Sequence, residues 1–131
     1  MTALQLVRRL PFALALALAA CAVPPPAPMG LMEVIERPAE KALLGGWRAY
    51  EDAQYPQSEK LLAQALQIGL ASSKDRATAH KLLAFIFCTS DRAAACEVEF
   101  RRARADDPNF ALSKAEAGHP QWGPVYKRVQ P

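Results

Sequence analysis

One helical spacing that occurs twice constrains this chain of 131 residues more than any other feature. In each copy a small side chain is followed four residues later by a large apolar one, and three residues after that by alanine. These intervals place the side chains on one face of an α-helix. The positions are Tyr55, Ser58, Leu62 and Ala65 in the first copy and Ala93, Cys96, Phe100 and Ala103 in the second. A repeated unit buries its apolar face by stacking on its neighbour, so the recurrence predicts stacked, paired helices.

Start and stop signals predict five helices over residues 38–118, with no convincing alternating strand. Proline suits the first turn of a helix and serine suits its N-cap. The predicted starts are Pro38, Pro56, Ser72 or Ser73, Ser90 and Asp107-Pro108, with the short fifth helix ending near Gly118. Residues 119–131 contain three prolines and are predicted to wrap over the helices as irregular chain.

The second copy has the spacing of a tetratricopeptide repeat. Leu83 and Ala84 occupy the Leu-Gly/Ala position of its first helix, Phe87 the aromatic position and Pro108 the closing proline. Small residues there allow the paired helices to approach closely. We therefore predict an all-α fold of tetratricopeptide-like antiparallel helix hairpins, with about two repeats, a C-terminal helix and an irregular tail.

The first copy fits this motif less well. The interval from Tyr50 to Tyr55 is one residue shorter than usual, and no proline closes the repeat. The alternative interpretation is a generic antiparallel helical bundle that shares the period by chance.

The N-terminus is typical of a secreted protein. Arg8 and Arg9 precede a short apolar run that ends in small residues. Residues 18–21, Leu-Ala-Ala-Cys, resemble the bacterial lipobox, which implies cleavage before Cys21 and its acylation with diacylglycerol. An ordinary signal peptide with a chance cysteine is the alternative. We expect a lipoprotein signal peptide at 1–20, a lipidated N-terminus and Pro-rich linker at 21–37, and a helical domain at 38–131.

By resemblance to Gram-negative lipoproteins, Ala22 in place of an aspartate points to the outer membrane, on its periplasmic face. Removing Arg8 and Arg9 leaves 14 of the 16 basic residues against 13 acidic ones. A nearly neutral mature chain gives no reason to expect nucleic-acid binding. The dense cluster Arg101, Arg102 and Arg104 is interpreted as a solvated helix face.

The sequence offers little that suggests an enzyme. An active site needs a convergent set of nucleophile, base or metal ligands. His80 is expected to be a partly exposed structural residue and His119 to have a packing or turn role. Seven residues lie between Cys88 and Cys96, which is not a usual zinc-motif spacing. We expect no catalytic residue, no metal and no cofactor beyond the lipid on Cys21.

The cysteines favour a structural role. In an oxidising periplasm two cysteines tend to pair. Cys88 ends the third predicted helix and Cys96 lies in the fourth, so an antiparallel hairpin would bring them together. We hypothesise a disulfide that closes the second hairpin.

Several stretches together resemble the TssQ family of type VI secretion-associated lipoproteins. They are the lipobox with its Pro-rich spacer, "AYEDAQYPQSEKLLAQALQIGL", "AHKLLAFIFCTS" and "CEVEFRRARADDPNFALSKAEAGHPQWGPVY". The resemblance covers roughly residues 40–126 and implies a non-enzymatic accessory lipoprotein of that apparatus. It provides no catalytic residues, only an acylated Cys21 and a Cys88–Cys96 pair. Alternatives are a lipoprotein that assists assembly of outer-membrane proteins or a pilus secretin, and a peptidoglycan-handling enzyme.

A protein partner in the cell envelope would then bind the concave groove formed by the first helix of each repeat. The register predicts that this groove presents Trp47, Arg48, Thr78, Lys81, Phe85 and Thr89. Phe85 could equally be covered by the tail, and the sequence leaves open whether residues 119–131 fill the groove.

Overall fold

A computed structural model describes residue 30 and residues 37–131. The expected signal peptide, Cys21 and nearly all of the linker lie outside the described residues. The described part is all-α, as predicted, and contains no strand. Its helices are α1 (Pro38–Glu51), α2 (Tyr55–Ile68), α3 (Ser73–Thr89), α4 (Ala93–Asp106), α5 (Lys114–Ala117) and α6 (Gly123–Arg128). α1 pairs with α2 and α3 with α4 as antiparallel hairpins, and α2 packs on α3.

The backbone repeats with the period of the sequence. α2 and α4 have the same length, and both begin at the first position of the repeated spacing, Tyr55 in one copy and Ala93 in the other. Both hairpin turns hold a non-glycine residue in the left-handed region, Ala53 at φ 58° and Asp91 at φ 59°. In both turns the next amide donates to a carbonyl of the preceding helix. Gln54 donates to Ala49 at 2.8 Å, and Arg92 donates to Phe87 at 2.9 Å. The fold is therefore two copies of one tetratricopeptide-like hairpin.

The first copy is not shorter than the second. Since Ala53 and Asp91 are equivalent, Ala49 occupies the place of the aromatic Phe87, and Tyr50 occupies the place of Cys88. The interval from Tyr50 to Tyr55 is one residue shorter because the aromatic side chain lies one position later in α1 than in α3. The length of the turn is the same in both hairpins.

The first hairpin is closed at a glycine. A Cβ on Gly46 would lie 2.8 Å from Cγ of Leu62, so only glycine permits this approach of α1 to α2. Ser58 is fully buried and donates its hydroxyl to the Gly46 carbonyl at 2.7 Å. The small residue of the repeat thus also satisfies a buried backbone group.

Two of the predicted helix starts are wrong. Ser72 caps α3 through its hydroxyl, as predicted, but Ser90 donates to the Ile86 carbonyl and so ends α3. The turn at Asp91 delays α4 to Ala93, which has no side-chain cap. Asp107 forms a turn in which its carboxylate accepts from the Asn109 amide, so no helix begins there.

The short fifth helix begins later, after a capping box. Ser113 and Glu116 each accept from the other's backbone amide. The tail is also not irregular throughout, because α6 forms with Pro124 in its first turn. Tyr126 of α6 packs edge-on against Phe100 and accepts a hydrogen bond at its hydroxyl from the Leu112 amide. The tail is therefore part of the core.

Candidate docking surface

The C-terminal tail fills the part of the predicted groove that lies on α3. Phe85 is only 4% exposed, and its ring stacks on Trp122 with centroids 4.2 Å apart. The Trp122 indole donates to the Glu116 carbonyl at 2.8 Å, which fixes the ring. Of the two possibilities that the sequence left open for Phe85, the structure shows coverage by the tail, because Trp122 stacks on its ring.

Lys81 is engaged by α5. Its ammonium lies 2.8 Å from the Glu116 carboxylate. Burial raises the pKa of Glu116, but hydrogen bonds from Lys81 and Ser113 outweigh it and hold that pKa below its usual value. Burial raises the pKa of Tyr50, and the neighbouring Tyr55 and Glu116 raise it further. Glu116 of α5 thus lies near both Lys81 of α3 and Tyr50 of α1.

The two threonines offer little to a partner. Thr89 is exposed, but its hydroxyl donates to the carbonyls of Phe85 and Ile86 within its own helix. Thr78 is half-buried and lines a shallow hollow of about 340 Å³. That hollow is walled by Lys81 and by the turn after α4.

Trp47 and Arg48 remain accessible. Trp47 is 42% exposed, and its indole donates to Glu51 at 2.8 Å. Arg48 is exposed and borders a shallow groove of about 360 Å³, whose other residues are Lys41, Leu44 and Gly45. Within the predicted binding set, the tail thus covers Phe85 on α3, whereas Trp47 and Arg48 are open on α1.

The cysteines meet as the hairpin predicted. The sulfurs of Cys88 and Cys96 are bonded at 2.12 Å, and the Cα atoms are 5.2 Å apart, within the usual range for a disulfide. Cys96 is fully buried and Cys88 is 9% exposed. The bond joins α3 to α4 next to the turn.

A buried polar network was not predicted from the sequence. His80, expected to be partly exposed, is buried, and its Nδ1 lies 2.5 Å from Glu99 while its Nε2 lies 3.3 Å from Asp106. Arg102 binds the second oxygen of Glu99, and Arg76 binds Asp106 at 2.7 Å. The network ties the first half of α3 to the middle and end of α4. Both ring nitrogens of His80 face carboxylates, which gives the residue a structural role.

The other polar candidates also have structural partners. His119 stacks flat on Trp122 with ring centroids 3.4 Å apart and accepts from the Gln121 amide, which is a packing and turn role. In the arginine cluster, Arg101 pairs with Glu97 at 2.6 Å, and Arg104 donates to the Val129 carbonyl.

Within residue 30 and residues 37–131, no three or more His, Cys, Asp or Glu side chains are grouped so that they could hold a metal ion. None of the helices in that same part combines the length and hydropathy of a membrane span. Comparison of the chain with family models, with curated proteins and with solved structures found no match.

Proposed function

We propose that this chain is an outer-membrane-anchored periplasmic lipoprotein that serves a type VI secretion system as a non-enzymatic, protein-binding scaffold. The observation that carries the proposal is the pair of repeated helix hairpins, the second closed by the Cys88–Cys96 bond. Disulfides persist in oxidising compartments such as the periplasm. Stacked helical hairpins offer extended surfaces that bind other proteins.

The sequence supports the anchor and the system. Residues 18–21 resemble a lipobox, and the Pro-rich linker that follows would hold the helical domain away from the lipid. Several chains on one cysteine would anchor the protein firmly, since each buried CH₂ contributes roughly 0.8 kcal/mol. The resemblance to the TssQ family over roughly residues 40–126 supports the assignment to type VI secretion.

The accessible binding surface in this proposal is the outer side of α1. On α3, Trp122 of the tail covers Phe85 and Glu116 of α5 pairs with Lys81. Leu44, Trp47 and Arg48 are exposed on α1. The tail thus acts as a cap on one side, and α1 offers its apolar and basic side chains to a partner.

The anchor is tested by metabolic labelling with a palmitate analogue, followed by separation of inner and outer membranes. We expect the label on the wild-type protein in the outer-membrane fraction and no label on Cys21→Ser. Unlabelled wild-type protein released in the soluble periplasmic fraction would refute the anchor.

The partner is tested by photocrosslinking in cells that express a type VI system. A benzoylphenylalanine at Leu44 should crosslink to a component of that system, whereas the same group at Val98, an exposed apolar residue on α4, is the matched control. Crosslinks to a secretin or to an outer-membrane assembly factor would instead favour the alternative function. Crosslinks of equal yield at both positions would contradict docking through α1.

A further inference from the structure

The exposed side of α1 combines apolar and basic side chains in a regular order. Leu44 is 40% and Trp47 42% exposed, and they are two of the five large hydrophobic side chains that are exposed in the described residues. Lys41 and Arg48 lie three residues before and four residues after Leu44, on the same side of the helix. Seven residues of helix separate the two cations by about 10 Å.

The two cations lack partners of their own. Among the arginines of residues 37–131, Arg48 alone has a side chain without a hydrogen bond or ion pair. Lys41 has no such partner in that range either. The acids of the same helix are already engaged, because Glu40 lies 3.6 Å from Arg37 and Glu51 accepts from Trp47. An acidic partner would therefore meet two free positive charges.

The surface between these cations is concave. Lys41, Leu44, Gly45 and Arg48 line the groove of about 360 Å³, which we call the α1 groove. Gly45 lines the groove beside Leu44, and a Cβ at that position would lie 3.3 Å from Leu61 of α2. Such a hollow fits one apolar anchor residue.

We propose that the α1 groove docks an amphipathic helix of another protein, which presents one large apolar side chain between two carboxylates seven residues apart. The apolar side chain fills the hollow beside Leu44, and the carboxylates pair with Lys41 and Arg48. This inference rests on the proposed function in taking the partner from the secretion apparatus, and it adds the chemistry by which that partner is recognised.

A protein helix fits this surface better than a bilayer or a second copy does. Lys41 and Arg48 would attract anionic lipid, but Glu51, held at Trp47, places a negative charge beside the aromatic ring and offsets one of them. A flat lipid surface is also not complementary in shape to a concave hollow. Two copies face to face would bring together two surfaces that each carry a net positive charge from Lys41, Arg48 and Glu51.

The experiment uses the oxidised chain from residue 22 to residue 131 and two labelled synthetic helices. Both peptides are alanine-based and contain one leucine. One peptide has two glutamates seven residues apart, with the leucine between them, and the other has lysines at those two positions. Fluorescence anisotropy at low salt should show about tenfold tighter binding of the acidic peptide. Lys41→Glu/Arg48→Glu should reverse the preference. The matched control, Lys114→Glu/Lys127→Glu, changes the net charge equally on other exposed residues and should leave the preference unchanged.

Several results would overturn the inference. Equal affinity for the two peptides would show that charge plays no part in the recognition. The same loss in both charge-reversal variants would show attraction by net charge alone. If the protein sedimented with phosphatidylglycerol vesicles and Leu44→Ala abolished this, the occupant would be a bilayer. If the protein formed a dimer that Leu44→Ala dissociated, the occupant would be a second copy. The anisotropy assay uses the isolated chain and is independent of the crosslinking in cells. If the protein showed no preference for the acidic peptide while the crosslinks at Leu44 still formed, the recognition chemistry would be wrong and the proposed function would stand.

Discussion

Removing the Cys88–Cys96 bond should destabilise the protein by an amount that follows from the chain length it closes. The two cysteines have a sequence separation of 8. For a loop of that size the chain-entropy relation gives about 8 cal/mol/K, or about 2.5 kcal/mol at 25 °C. A small domain such as this one shifts its melting temperature by roughly 4–8 °C per kcal/mol. The predicted loss is therefore roughly 10–20 °C.

The measurement compares thermal unfolding by circular dichroism of the oxidised protein, the protein reduced in its unfolded state, and Cys88→Ala/Cys96→Ala. The double variant should melt near the reduced protein, and adding reductant should not change it. Cys96 is fully buried, so a double variant that melts well below the reduced protein would report lost packing as well. A reduced protein that melts within about 2 °C of the oxidised one would refute the entropic argument.

Three further predictions concern the two hairpins and the tail. Gly46→Ala should lower the free energy of unfolding in urea by about 1–3 kcal/mol, because its Cβ would lie 2.8 Å from a side chain of α2. Gly45→Ala is its matched control and should change stability little, since the nearest side-chain atom lies 3.3 Å away at a flexible end; equal effects would contradict the packing. Trp122→Ala should cost about 3–5 kcal/mol in the same assay, and an unchanged midpoint would argue against the tail as part of the core. Tyr50→Cys/Ser58→Cys should form a second disulfide, seen as a mass loss of two hydrogens, because these positions are the equivalents of Cys88 and Cys96 in the first hairpin; persistent free thiols would count against that equivalence.

The sequence predicted a helix start correctly where the residues of the first turn determine that start by themselves. Pro38 and Pro56 begin helices because the ring fixes φ and the missing N–H costs nothing in the first turn. Ser90 failed as a start signal because its hydroxyl can bond a carbonyl behind it as well as an amide ahead of it. The choice depends on the turn at Asp91, where a non-glycine residue takes a positive φ.

The candidate site was harder to predict because it depends on contacts between distant residues. The register placed Phe85 on the groove side of α3, but only the folded tail shows that Trp122 occupies that side. The prolines of residues 119–131 suggested irregular chain, although Pro124 serves as a helix start. His80 and Asp106 lie on different helices, and nothing in their local sequences marks them as neighbours.

The two hairpins have the same backbone geometry but are held together by different interactions. The second hairpin has a covalent bond where the first has Tyr50 and a hydrogen bond from Ser58 to a backbone carbonyl. The tail also packs on the second hairpin through Phe85 and Phe100. A hydrogen bond contributes about 1 kcal/mol net, less than half of what the disulfide is expected to contribute. The hairpin that carries the open α1 groove is therefore the one held without a covalent link, whereas the disulfide and the tail both hold the other hairpin.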